Sequence, residues 1–200
     1  DWSSDVCSSD LAVTGRGRIL KSFPLIPGID VVGEVVESND KSFPKGCLVL
    51  ANGQGVGETY NGGLAQFCRL PAECLVRLSP ALSPIEAMTL GTAGFTAALC
   101  LARMEQNGQT PEKGPIVVTG ASGGVGQIAV DIFSQQGYEI VAVSGKSKLR
   151  QHLLNLGAKK VCEAAELELG SRALEKSKFA GAVDSVGGSL LAGILRHVDL

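Results

Sequence analysis

Residues 116–126, Ile-Val-Val-Thr-Gly-Ala-Ser-Gly-Gly-Val-Gly, constrain the fold more than any other stretch of the chain. An apolar, β-branched run enters a turn of small residues. A helical pattern follows at once in Val125, Ile128, Ala129, Ile132 and Phe133. Strand, glycine turn and helix in that order open a dinucleotide-binding βαβ unit. Ala121-x-Gly123-x-x-Gly126 supplies the tight turn, the close backbone approach and the helix packing that a pyrophosphate site needs. The helix start adds partial positive charge and unpaired N–H donors. Ala121, Ser122, Gly123, Gly124, Val125 and Gly126 are therefore candidate cofactor contacts, with the Ser122 hydroxyl as an added donor. The bland alternative is a strand-to-helix turn without a ligand. Against it, a second strand, Ile140 to Ser144, arrives about 20 residues on, as the fingerprint requires.

The end of that second strand discriminates between cofactors. A site for NAD places Asp or Glu there to hold the ribose 2′-hydroxyl. This chain has Ser144-Gly145-Lys146-Ser147-Lys148. A carboxylate would repel a 2′-phosphate; a cation invites one. A charge-assisted contact from Lys146 is worth about 1.5–3 kcal/mol. Ser144, Gly145 and Lys146 are thus expected to favour NADPH, against the plainer reading of Lys146 as a solvated loop lysine. Gly145-Lys146-Ser147 also resembles the end of a P-loop, but Ile140 stands where that motif needs its first glycine. The short-chain dehydrogenase motif is similar too. That family needs a downstream Tyr-x-x-x-Lys pair, and Tyr60 and Tyr138 are followed four positions on by Leu64 and Ala142.

From Gly114 onward strand and helix alternate: strand 115–119, helix 124–136 closed by Gly137, strand 139–144, helix 147–156 closed by Gly157, strand 160–163, strand 181–186, and a helix from about 189. Alternation predicts an α/β fold, a Rossmann-type parallel sheet with right-handed crossovers and four strands visible. Residues 23–78 read differently, as short strands broken by turns in a barrel-like β domain. Strands are expected at 29–36, where Gly33 hints at a bulge or close approach, at 47–50, and as a pair at 64–70 and 74–78. Ser83-Pro84-Ile85-Glu86 has the pattern of a helix start, and 90–104 continues as an apolar helix.

The chain of 200 residues has a formal net charge of −2 and no basic run, which argues against nucleic acid as its partner. No apolar stretch is expected to reach the length of a membrane span. Cys47, Cys68, Cys74, Cys100 and Cys162 lack metal or disulfide-scaffold spacing and read as small hydrophobes in a reducing, cytoplasmic compartment. His152 and His197, both in expected helices, form no Cys/His cluster, so no metal is expected. Residues 1–11 show no periodicity. Back-translated, they resemble a common sequencing adapter and are set apart as an artefact of assembly. The far end stops inside an apolar-periodic segment, so the chain is expected to be a fragment. Its cut sheet would expose an apolar edge and leave it poorly stable.

Taken in order, these pieces resemble the medium-chain dehydrogenase/reductases, and within them the zinc-independent branch of acrylyl-CoA reductases and quinone oxidoreductases. The resemblance rests on Phe23-Pro24-Leu25-Ile26-Pro27-Gly28-Ile29-Asp30, Asn61-Gly62-Gly63-Leu64-Ala65, Gly91-Thr92-Ala93-Gly94-Phe95-Thr96-Ala97, Val117 to Gly126, and Val141 to Lys146. It implies a partial GroES-like β-barrel domain over 12–90, a linking helix and loop over 91–113, and the first part of an NADP-binding Rossmann domain over 114–200. Zinc-dependent relatives carry Gly-His-Glu where this chain has Gly28-Ile29-Asp30. The resemblance implies NADPH-dependent reduction of an α,β-unsaturated acyl-CoA, acryloyl-CoA to propanoyl-CoA. Quinone reduction and a noncatalytic NADP-binding subunit are the alternatives. It implies a homodimer for the full-length protein and an inactive fragment. No proton donor is identified, and Thr92 is the candidate for a residue near the nicotinamide or, equally, for a helix cap. Asp184-Ser185-Val186 closes the fourth strand; Asp184 and Val186 either meet the cofactor or, in the case of Asp184, cap the next helix.

Overall fold

The computed structural model describes residues 8–15, 17–172 and 175–199. Residues 1–7 of the adapter-like segment lie outside the described residues. The chain divides into two compact units, with the boundary between Thr92 and Ala93.

The first unit holds a short helix, α1 (Ser8–Thr14), and a three-stranded antiparallel sheet ordered β1 (Asp30–Glu34), β2 (Leu48–Asn52), β3 (Val76–Arg77). Its core gathers Ala51, Val56 and Cys74, with Val31, Leu70 and Leu75 against them. Two expectations fail here. Gly33 sits in regular register opposite Val49, and a Cβ there would meet nothing within 4 Å, so it is neither a bulge nor a close approach. Residues 64–70 form no strand, and 74–78 shrinks to β3 behind a turn of 3₁₀ helix, Ala72–Cys74. The segment's start is instead drawn to residues 26–28: Gly62, Gly63 and Leu64 donate their N–H groups to Ile26, Gly28 and Pro27, and Leu64 and Phe67 stay exposed.

That junction explains two of the glycine-rich blocks. A Cβ on Gly62 would fall on the Gly28 carbonyl, and one on Gly63 on the Asp30 carbonyl. The Asn61 side chain completes the contact by accepting from the Ile26 N–H at 2.9 Å. The blocks meet backbone to backbone, and their close fit fixes where Asp30 enters β1.

Helix α2 (Pro84–Gln106) begins as its sequence predicts. The Glu86 N–H donates to Ser83 Oγ at 3.2 Å, and the Ser83 N–H donates to Glu86 Oε2 at 2.8 Å, a reciprocal capping box. Those hydrogen bonds from Ser83, the backbone one first, hold the Glu86 carboxyl below its usual range. At Gly91 the helix breaks, with φ 50° and ψ −154°. By length and composition alone α2 is long and apolar enough to cross a membrane, which corrects the expectation that no stretch is. The apolar sequence runs on through Gly91 while the helical geometry does not, leaving two shorter helical pieces. Beyond the break, Ala97 is fully buried, and Cys100, Leu101 and Met104 pack against the core of the second unit.

The second unit is a parallel sheet ordered β6–β5–β4–β7, built from β4 (Ile116–Thr119), β5 (Ile140–Val143), β6 (Lys160–Cys162) and β7 (Gly181–Val183). Helices α3 (Gly124–Gln135), α4 (Arg150–Asn155) and α5 (Gly188–Leu195) alternate with the strands. Every residue of β4 and β5 is buried, as a sheet covered on both faces requires. One core packs Ile116, Val118, Ile140 and Ala142 with Phe133 and Leu153; the other packs Val117, Val141 and Val143 with Phe179 and Ile194. Glycine stops follow α3 and α4 as expected, with Gly137 at φ 87° and Gly157 at φ 106°.

The end of the chain departs from expectation. α5 stops at Leu195, so His197 lies outside a helix. It is buried, accepts the Gly170 N–H at Nε2 (3.0 Å) and donates from Nδ1 to the Lys176 carbonyl (2.9 Å). Residues 197–199 then bond to 178–179 beside β7. Cys74 and Cys162 are buried, and burial is the main cause raising the thiols of Cys68, Cys74, Cys100 and Cys162, in keeping with their reading as small hydrophobes.

Candidate cofactor site

The strand order places a topological switch point between β4 and β7: from β4 the chain moves outward to β5 and β6, then returns to add β7 on the other side. Three loops meet at the carboxyl ends of these strands. They are the glycine turn after β4, Ser144–Lys146 after β5, and Asp184–Val186 after β7.

The glycine turn is closed by its own backbone. The Gly123 N–H donates to the Gly120 carbonyl at 2.8 Å, and the Ala121 N–H to the Val143 carbonyl at 3.1 Å. A Cβ on Gly126 would strike the Gly120 carbonyl and Ala121 Cα, so glycine is required where α3 crosses the turn. Ala121, Ser122, Gly123 and Gly126 are buried, Val125 is half-buried and Gly124 is exposed. Gly123 is the N-cap of α3 and brings no side-chain hydrogen bond. The first N–H groups of a helix have no partner within it. Here the N-cap side chain does not take them, which suits the diphosphate of a dinucleotide.

The neighbouring loops are tied to this turn. Ser144 Oγ donates to Ser122 Oγ at 3.0 Å, and the Lys146 N–H donates to Ser144 Oγ at 3.1 Å. Gly145 and the Lys146 side chain are exposed. On the other side Thr119, fully buried, donates its hydroxyl to Asp184 Oδ1 at 2.5 Å and accepts the Ser185 N–H at 3.1 Å. Asp184 Oδ2 accepts the Gly187 N–H at 2.8 Å, closing the turn before α5. Asp184 therefore organises this turn, and Val186 is exposed beside it at 46% of its surface. Thr119 was not singled out from sequence. Its signal is a lone polar residue ending a fully buried strand.

Thr92 lies in the first unit. Its N–H and hydroxyl both donate to Asp30 Oδ1, at 2.8 and 2.6 Å, and the Asn52 amide donates to the same oxygen at 2.6 Å. A Cβ on Gly91 would stand 2.8 Å from Asp30 Oδ2. Asp30 thus joins β1, β2 and the restart of α2, a role invisible in its spacing.

The model of the alcohol dehydrogenase GroES-like domain matches residues 3–80. An alcohol dehydrogenase of Geobacillus stearothermophilus is 30% identical over 98% of this chain and 68% of its own length. The chain belongs to the medium-chain dehydrogenase/reductases. Among its relatives in that family, the probable acrylyl-CoA reductase AcuI of Escherichia coli K12 is 46% identical over 99% of the chain and 61% of the relative. The chain spans about three-fifths of the length of such relatives. Among solved structures, E. coli K-12 YhdH with bound NADPH superposes with a TM-score of 0.92 at 46% identity, covering 98% of this chain and 60% of that one. Bacillus subtilis YhfP with NAD bound gives 0.90 at 44% identity, covering 96% and 59%. The expected parallel sheet, preceded in sequence by a GroES-like region, is this family's architecture.

Proposed function

We propose that this protein binds NADPH along the glycine turn and reduces an α,β-unsaturated acyl-CoA, acryloyl-CoA to propanoyl-CoA. The observation that carries the reading is the 46% identity, over 99% of this chain and 61% of the relative, to a probable acrylyl-CoA reductase, together with an α3 start without a side-chain cap at the switch point. When bound, NADPH would supply the hydride that the β-carbon accepts. The chain's own residues bind and orient. The first N–H groups of α3 hold the diphosphate. Ser144 takes the Lys146 N–H and gives its own hydrogen to Ser122, leaving the Ser122 hydrogen for a ligand oxygen. Lys146 meets the 2′-phosphate. Asp184 shapes the turn in which Val186 flanks the cofactor. In the first unit, Thr92 is held by Asp30. The same reading makes the protein a cytoplasmic homodimer acting on a small-molecule acceptor.

The bound NAD of the B. subtilis neighbour makes cofactor choice part of the test. NADPH oxidation by the full-length protein is followed with acryloyl-CoA, with NADH and a simple quinone in parallel. Fast, NADPH-selective turnover of the thioester supports the reading. Turnover of the quinone alone replaces it with quinone reduction, and binding without turnover of either acceptor with a noncatalytic subunit.

A further inference from the structure

A ring of hydrogen bonds links the glycine turn to the turn after β5 through two side chains that belong to neither. Gln127, in the first turns of α3, donates from Nε2 to the Ser122 carbonyl at 2.9 Å. A carbonyl only accepts, so this bond fixes the amide and turns Oε1 toward His152. The His152 Nε2 lies 2.8 Å from that oxygen and therefore carries the proton. From Ser122 the ring runs to Ser144 Oγ and the Lys146 N–H. The Leu149 N–H donates to the Lys146 carbonyl at 2.9 Å, and the chain then enters α4 and returns to His152.

We propose that Gln127 and His152 are positioning residues that set the preference for NADPH over NADH. The proposal rests on the NADPH reading above. A ligand with a 2′-phosphate must satisfy the glycine turn and the Lys146 turn at once, so it gains from a fixed spacing between them. NADH lacks the 2′-phosphate and so gains less from the second turn. His152 is exposed and Gln127 half-buried, so the pair can be cut without opening the core.

The test measures Kd for NADPH and NADH by cofactor fluorescence on the full-length protein, with Tm in parallel. Gln127→Ala and His152→Ala are each expected to weaken NADPH by about three- to ten-fold, the range of one lost neutral hydrogen bond. NADH binding should stay nearly constant. His152→Gln, whose side-chain amide can donate to Gln127, should recover much of the NADPH affinity. An unchanged NADPH/NADH ratio in the alanine variants of an NADPH-preferring wild type overturns the proposal and leaves the cofactor reading standing. Equal losses for both cofactors reduce the pair to general support and also overturn it. A wild type that binds the two equally, or binds neither, overturns the NADPH reading and the proposal with it.

Discussion

In the first unit glycine lets backbone meet backbone: Gly62 and Gly63 close against Gly28 and Asp30, and their N–H groups are taken by carbonyls. In the second, Gly126 does the same under α3, but Gly123 begins the helix without a cap and Gly124 stands exposed beside it. The helix starts differ in the same way. α2 opens on a capping box that satisfies its own donors; α3 opens on Gly123, which makes no side-chain cap hydrogen bond. Density of glycine therefore does not mark a ligand site. What sets the α3 start apart is its place at the switch point between β4 and β7, where Gly123 brings no side-chain cap to the helix.

Gly62→Ala is the strongest challenge to the backbone junction. The new Cβ meets carbonyl atoms that cannot swing away, and the loss should be about 3–5 kcal/mol in urea denaturation. A near-neutral result would mean that the junction can open. Gly126→Ala should follow at about 2–3 kcal/mol, because its Cβ also meets backbone. It should weaken NADPH binding as well, through displacement of the α3 start. Gly145→Ala, with nothing within 4 Å, is the matched control and should change stability little. Equal stability losses without any change in cofactor affinity would make the two clusters alike.

Gly91→Ala probes a third use of glycine. The position has φ 50°, and its Cβ would press on the Asp30 carboxylate that holds Thr92 and Asn52. A loss of about 1–3 kcal/mol is expected from strain and contact together. Asp30→Asn should lose less, because the amide keeps an acceptor for Thr92.

The second unit was legible because its strands are buried on both faces and its helices end at glycine, both local signals. The tight turn between β4 and α3, with Gly126 packed on the Gly120 carbonyl, was legible for the same reason. The first unit was harder. Residues 64–70 have a strand-like composition, but their neighbours' N–H groups were already committed to residues 26–28, and that pairing is non-local. Gly33 and Gly91 look alike in sequence, yet one faces open space and the other a carboxylate. The Asp30 hub and the Gln127–His152 pair depend on contacts 62 and 25 residues apart, beyond any periodicity.

The smallest expected effect tests the capped helix start. Ser83→Ala removes an N-cap acceptor and should cost about 1 kcal/mol. Its pH dependence follows from Glu86, whose carboxyl is held below its usual range first by the Ser83 N–H and then by the Ser83 hydroxyl. A carboxyl with a depressed folded value stabilises the fold above its unfolded pKa, and that contribution fades as the pH falls through the folded value. The difference in urea midpoint between wild type and Glu86→Gln should therefore be full at neutral pH and shrink on acidification through the carboxylate range. A difference that persists in acid would assign the effect to helix propensity instead of the ionised cap. The α3 start offers the converse: with no side chain filling its donors, its stability should respond to added NADPH, while that of the α2 start responds to pH.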